Sequence, residues 1–255
     1  MAEIAAGTSR RHPLVAIAFV VLMVALTALF VVLGTWQLNR LHEKEATIAA
    51  IAARSALAPV PLPPAAEWPA LDVAAYDYRP VSVTGIYRAE DTVLVFASLG
   101  APKGRYSGAG YWVMTPLQVA DGGLVYINRG FVPQAQGPQF LVPATVPSGE
   151  ITLAGLARHP EAANGFTPAA DAQNRIEWIR DPARLALLAG DTAAPVAPLF
   201  VDAPAGEVGA LPQGGETVLK ISNRHMEYVV TWYGLALVTP VLLIYWLVRQ
   251  RRGRN

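Results

Sequence analysis

No aspartate, glutamate, lysine or arginine occurs between Arg11 and Arg40, nor between Glu227 and Arg249. The second window holds 21 residues, about what a helix needs to cross a hydrocarbon core roughly 30 Å thick. A helix satisfies its own backbone hydrogen bonds, so it enters lipid without partner strands. Tyr228, Trp232 and Tyr233 mark one membrane interface of this window, and Tyr245 and Trp246 mark the other. In the first window, Leu14 to Gly34 is nearly all Val, Ala, Leu, Ile and Phe. A cleaved signal peptide is the competing reading of that run. Its length exceeds the usual ~7–15 apolar residues, and no small-x-small site precedes the polar boundary. It closes on Trp36 and Gln37, so an uncleaved anchor is expected.

A content of 53% hydrophobic residues is too apolar for an ordinary soluble domain and too polar for a polytopic transporter. Two spans around one water-facing domain fit. Arg10 and Arg11 flank the first span, and Arg249, Arg251, Arg252 and Arg254 follow the second. Both tails are therefore expected on the cytoplasmic side, or the matrix side of a mitochondrion. The stretch between the tails carries 14 basic and 18 acidic residues, with no basic stripe to suggest nucleic acid. The absence of cysteine excludes thiolate metal sites, CxxC redox chemistry and disulfides within the chain.

Read in order, the chain gives a tail (1–13), a transmembrane helix (14–36), a helical extension (37–58), a Pro-rich extended linker (59–76), a β-rich outer domain (77–222), a second transmembrane helix with a histidine at its outer face (223–248) and a basic tail (249–255). The extension is expected from Leu38, Leu41, Ile48 and Ile51 at helical spacing. Period-two alternation starts at Pro80–Tyr87, and further strands are predicted at 92–96, 111–119, 124–132, 151–158, 175–179 and 199–201. Asp121-Gly122-Gly123 is a hairpin turn sequence. One short helix is predicted, capped by Asp181, opened by Pro182 and ended by Gly190. The fold class is thus membrane α+β: two transmembrane helices flanking an antiparallel barrel- or sandwich-like domain.

Catalytic signatures are missing: there is no GxSxG, HExxH, Walker loop or GxGxxG. Ser107, His159 and Asp171 have no spacing that suggests a triad, and an enzyme is not expected. Of the four histidines, His12 lies in the tail, and His42 has Glu45 three positions on. His225 shares one helical face with Tyr228, Val229, Trp232 and Ala236. A neutral imidazole above such a face suits the edge of a haem; it also suits an ordinary aromatic belt, which on residues alone prevails. Met226 lies about 100° away and cannot share an iron with His225. Trp36 and Arg40 are one turn apart. Arg40 either snorkels to the interface or pairs with a carboxylate, such as a cofactor propionate.

L-G-T-W-Q-L-N-R at 33–40 and N-R-H-M-E-Y-V-V-T-W-Y at 223–233 resemble the two membrane-end signatures of the surfeit locus protein 1 family. V-S-V-T-G-I-Y at 81–87, G-Y-W-V-M-T-P-L at 110–117 and Y-I-N-R-G-F-V-P at 126–133 resemble its interior motifs, in order. Phe131 stands where tryptophan is common, and His42 has no counterpart. The resemblance implies a factor that assembles cytochrome c oxidase, acting with subunit I and other assembly factors while haem a is inserted. It implies a bacterial plasma membrane or mitochondrial inner membrane, and the brevity of the N-terminal tail favours the former. It also makes His225 the candidate iron ligand, with Trp232, Tyr228, Trp36 and Arg40 around it. The alternative is a cofactor-free scaffold for an oxidase intermediate. A sensor-type receptor ranks last, because only seven residues follow Val248.

Overall fold

The computed structural model describes residues 13–191, 193–217 and 223–252. The elements run α1 (Pro13–Ser55), β1 (Val60–Pro61), α2 (Val73–Tyr76), β2 (Pro80–Tyr87), β3 (Val93–Leu99), β4 (Gly108–Val119), β5 (Leu124–Pro133), β6 (Glu150–Arg158), β7 (Ile176–Glu177), α3 (Pro182–Ala189), β8 (Val196–Asp202) and α4 (His225–Arg252). They form two compact units: the described parts of Met1–Ala49 and Lys220–Asn255, and Ala50–Leu219.

In the first unit, α1 and α4 are both long and apolar enough to cross a membrane. At 1.5 Å per residue, the 43 residues of α1 span about 65 Å, twice a hydrocarbon core. The helix therefore continues past the apolar window without a break; of the expected stripe, Leu41 is buried in this unit and Ile51 in the second. Pro240 lies inside α4. It deprives one carbonyl of its helical donor, a defect tolerated in apolar spans.

In the second unit, eight strands make one sheet in the order β1-β2-β6-β8-β5-β4-β3-β7. β2 pairs with β4 as well as β6, which joins β2, β6, β8, β5 and β4 in a closed circuit of pairings. The expected antiparallel arrangement is corrected here: β1–β2, β3–β7 and β5–β8 are parallel, so the sheet is mixed. The physical reason is the connection after β6. The chain crosses through β7 and α3 before β8, and such a crossover lets β8 return parallel to β5. The segment 199–201 is accordingly the middle of an internal strand. The segment 175–179 shortens to β7, which begins directly after Arg175, a residue at a positive φ of 52°.

The proline-rich stretch 59–76, expected as an extended linker, is in contact with the sheet. Val60 and Pro61 pair with Val81 and Ser82. A 3-10 turn at Ala65–Ala70 then places Trp68 in the core, 4% exposed, beside Val81, Val125 and Leu199. Its indole N–H donates to Pro63 O at 2.8 Å. Five prolines prevent a helix, and the buried indole holds the extended chain against the sheet.

Local chemistry explains the other elements. The Asp181 carboxylate accepts from Ala183 N at 3.0 Å, and Gly190 closes α3 at φ 85°. Gly122, at φ 84°, turns β4 into β5. That hairpin carries a bulge: Trp112 faces Phe131 and Met114 faces Asn128, so β5 has one residue more than β4. Gly130 lies in the bulge at φ 132°, and a Cβ there would meet the Gln213 backbone at 2.4 Å. Leu185 and Ala186 of α3 pack on Val93, Met114, Tyr126 and Phe200.

Candidate functional site

The site lies in the helical unit. Asn223 Oδ1 accepts from His225 N at 3.3 Å and so caps the start of α4. From His225 the side chains facing α1 recur at Val229, Trp232, Ala236, Thr239 and Trp246, the alternating four-and-three spacing of a knobs-into-holes seam. Their partners run the opposite way along α1. His225 Nδ1 lies 2.7 Å from Gln37 Oε1. Trp232 stacks on Phe30 with ring centroids 5.8 Å apart, and Trp246 packs on Phe19 at 4.6 Å. Val229, Ala236 and Thr239 are buried. Tyr233 lies over Gly34 and its hydroxyl is 3.0 Å from Thr35 Oγ1. The two helices are thus antiparallel, and His225 stands at one end of the seam.

The five residues singled out from the sequence fall into three groups. His225 and Trp232 are half-buried in the seam, the first against an amide and the second against a ring. Tyr228 and Trp36 are each 51% exposed on the outer surface of the pair. Arg40 is exposed and paired with the Glu43 carboxylate at 2.8 Å. His42 is exposed. Among the described residues no three His, Asp or Glu side chains converge as a metal site. His159 contacts Pro160 O and Asp77, while Asp171 bonds Asn174, so neither belongs to a triad with Ser107. Gln37 is the residue that sequence reasoning left without a role. Its partner lies 188 positions away, and no local pattern reports such a contact.

The sheet unit holds a separate cavity of about 130 Å³, lined by Tyr78, Trp112, Arg158, Arg180, Asp202 and Glu216 among others. Its charges are paired. Asp202 accepts from Asn128 and Thr217 at 2.7 Å each and faces Arg158 at 3.3 Å. Arg158 also bonds Asp77 at 3.1 Å and lies 4.1 Å over the Tyr78 ring. Arg180 grips the Glu161 carboxylate through Nε and Nη2. Burial works to raise the Glu161 pKa, but the Arg180 hydrogen bonds and charge outweigh it and hold the carboxyl below its ordinary range. With every carboxylate engaged, this network joins β6, β8 and the 213–217 strap rather than presenting a free charge.

Two helices long and apolar enough to cross a membrane, paired at one seam, with a mixed-sheet domain between them in the sequence, are the build of a membrane-associated protein. The chain belongs to the SURF1 family, whose model matches residues 24–237. It is similar to a SURF1-like protein of Monosiga brevicollis, 34% identical over 235 residues that cover 88% of this chain and 84% of that one. It is also similar to Surfeit locus protein 1 of Rattus norvegicus, 32% identical over 87% of this chain and 73% of the relative. For Surfeit locus protein 1 of Homo sapiens the identity is 31%, over 92% and 78%.

Proposed function

We propose that this protein assists assembly of cytochrome c oxidase by holding haem a at the outer membrane surface, with His225 as an iron ligand, until subunit I takes it. Family membership supports the assembly role. The observation that carries the haem reading is the state of the His225 ring: it is half-buried at the end of the helix pair, and only its Nδ1 has a partner among the described residues. The other nitrogen, Nε2, has no hydrogen-bond partner among the described residues, so the ring fits the role of an iron ligand. When bound, the haem would supply a redox-active iron and a broad apolar ring.

The protein's own residues do the rest. Exposed Tyr228 and Trp36 offer aromatic surface at the same end as His225, and Trp232 braces the helix behind them. The Arg40–Glu43 pair is solvent-exposed on both sides. Such pairs are worth at most about 1 kcal/mol, so Arg40 can be drawn to a propionate at small cost. The arginines of the two tails support a topology with both termini on the cytoplasmic side and the sheet domain in the periplasm of a bacterium.

The test is an optical spectrum of the protein purified from cells that make haem a. The wild type should carry haem, and His225→Ala should lose most of it. Equal haem in both would remove the ligand assignment, and none in either would remove the haem reading. A cofactor-free scaffold is favoured by one observation: Trp232 is already occupied by Phe30. On that reading His225→Ala leaves oxidase maturation intact, whereas Gly85→Trp, which drives a ring into the Gln118 backbone, abolishes it.

A further inference from the structure

We infer that Gln37 is the positioning residue for His225, selecting the imidazole tautomer that leaves Nε2 unprotonated. The inference rests on the reading of His225 as a ligand only for its purpose; the tautomer is argued from the Gln37 contact. Gln37 presents Oε1 to His225 Nδ1 at 2.7 Å. With the amide oxygen toward the ring, as it stands here, the proton in that hydrogen bond sits on Nδ1; the amide nitrogen in its place would donate to Nδ1 and leave the proton on Nε2, the outcome that overturns the inference. A neutral imidazole carries one N–H. Its Nε2 then holds the lone pair, which is the form that coordinates a metal.

Three features make the contact a built one. Gln37 and His225 lie at matching ends of a seam fixed further along by Phe30–Trp232 and Thr27–Thr239, so the ring meets the amide through helix packing. The His225 backbone is itself held by the Asn223 side chain. The neighbouring carboxylate, Glu227, is turned to Arg224 at 3.1 Å. An orienting partner beside a metal-binding histidine is commonly a carboxylate or a carbonyl. Here it is an uncharged amide, which orients the ring without placing a second charge at the edge of lipid.

The experiment uses the full chain in detergent micelles with ¹⁵N-labelled histidine. Two-bond proton–nitrogen correlations are recorded near pH 8, above the range in which imidazole ordinarily gains a proton. His225→Ala identifies the signals. The wild type should show Nδ1 protonated and Nε2 bare. Gln37→Leu should move or share the proton, and Gln37→Glu, which keeps an acceptor oxygen, should restore the wild-type pattern. A proton on Nε2 in the wild type, or an unchanged pattern in Gln37→Leu, would overturn the inference. The same samples are then titrated with ferric haem b as a probe. Gln37→Leu should bind it about 10–100-fold more weakly, with recovery in Gln37→Glu. If the tautomer pattern holds but no sample binds the probe, Gln37 keeps its role and the haem reading falls. If His225 binds the probe but the tautomer pattern fails, the reverse applies.

Discussion

The hydroxyl oxygens of Thr27 and Thr239 lie 2.8 Å apart across the helix pair. Each also lies within bonding distance of a carbonyl on its own helix, Met23 O at 2.8 Å and Leu235 O at 3.0 Å. Each hydroxyl has a single proton. One threonine therefore donates across the seam and the other donates back to a carbonyl of its own helix, giving a chain of two hydrogen bonds of which one crosses between the helices. In an apolar surround such bonds contribute about 0.6 kcal/mol on average, with a ceiling near 1.7 kcal/mol. Thr27→Val and Thr239→Val should each destabilise the folded protein by about that amount. The double variant should cost less than the sum, as read from unfolding in mixed micelles.

Gly85 pairs with Val119 on β4 and with Ile151 on β6. A Cβ at this position would stand 2.2 Å from Gln118 O, and a backbone carbonyl inside a ladder cannot move aside. Gly85→Ala should therefore open the β2–β4 pairing. The expected loss is about 3 kcal/mol, at the upper end for a point substitution. Calorimetry on the purified protein should show a melting temperature lower by roughly 10 °C.

Trp68→Ala tests whether the proline-rich segment belongs to the fold. Removal of the buried indole should cost about 3–5 kcal/mol. A tether would tolerate the change, and protease sensitivity of residues 59–76 should remain as in the wild type. In the folded arrangement, cleavage there should rise sharply in the variant.

Glu161 and Arg180 make stability depend on acidity. The folded-state pKa of Glu161 lies below its ordinary value. Its contribution is therefore present above the ordinary carboxylate range and is lost as the pH falls through the depressed folded value. Glu161→Gln should be less stable than the wild type at pH 7, and the difference should close in acid. Urea unfolding of both proteins at pH 7 and about pH 3 provides the comparison.

What could be read before folding was whatever short-range chemistry dictates. Windows free of charge gave both long helices. Asp181, Pro182 and Gly190 gave α3, and Asp121-Gly122-Gly123 gave the β4–β5 turn. Alternation placed β2 correctly, with Val81, Val83 and Gly85 inward. The pairing of β8 with β5 escaped because strand direction across a sheet depends on the route of the intervening chain. Trp68 escaped because the prolines around it speak for an extended backbone and say nothing of what its side chain touches. At the candidate site, His225 and Trp232 stood out as chemical types on one helical face. Their actual neighbours, Gln37 and Phe30, are set by how two distant helices interdigitate.

β8 lies between β5 and β6, although both precede it in the chain. Until synthesis has passed Asp202, each of these strands has one row of amides and carbonyls with nothing to meet it. Such open borders invite pairing with foreign chains. A polypeptide made from its N-terminus thus carries a gap in its sheet until one of the last segments to appear closes it. Chaperone demand during synthesis should accordingly fall once residues 196–202 emerge.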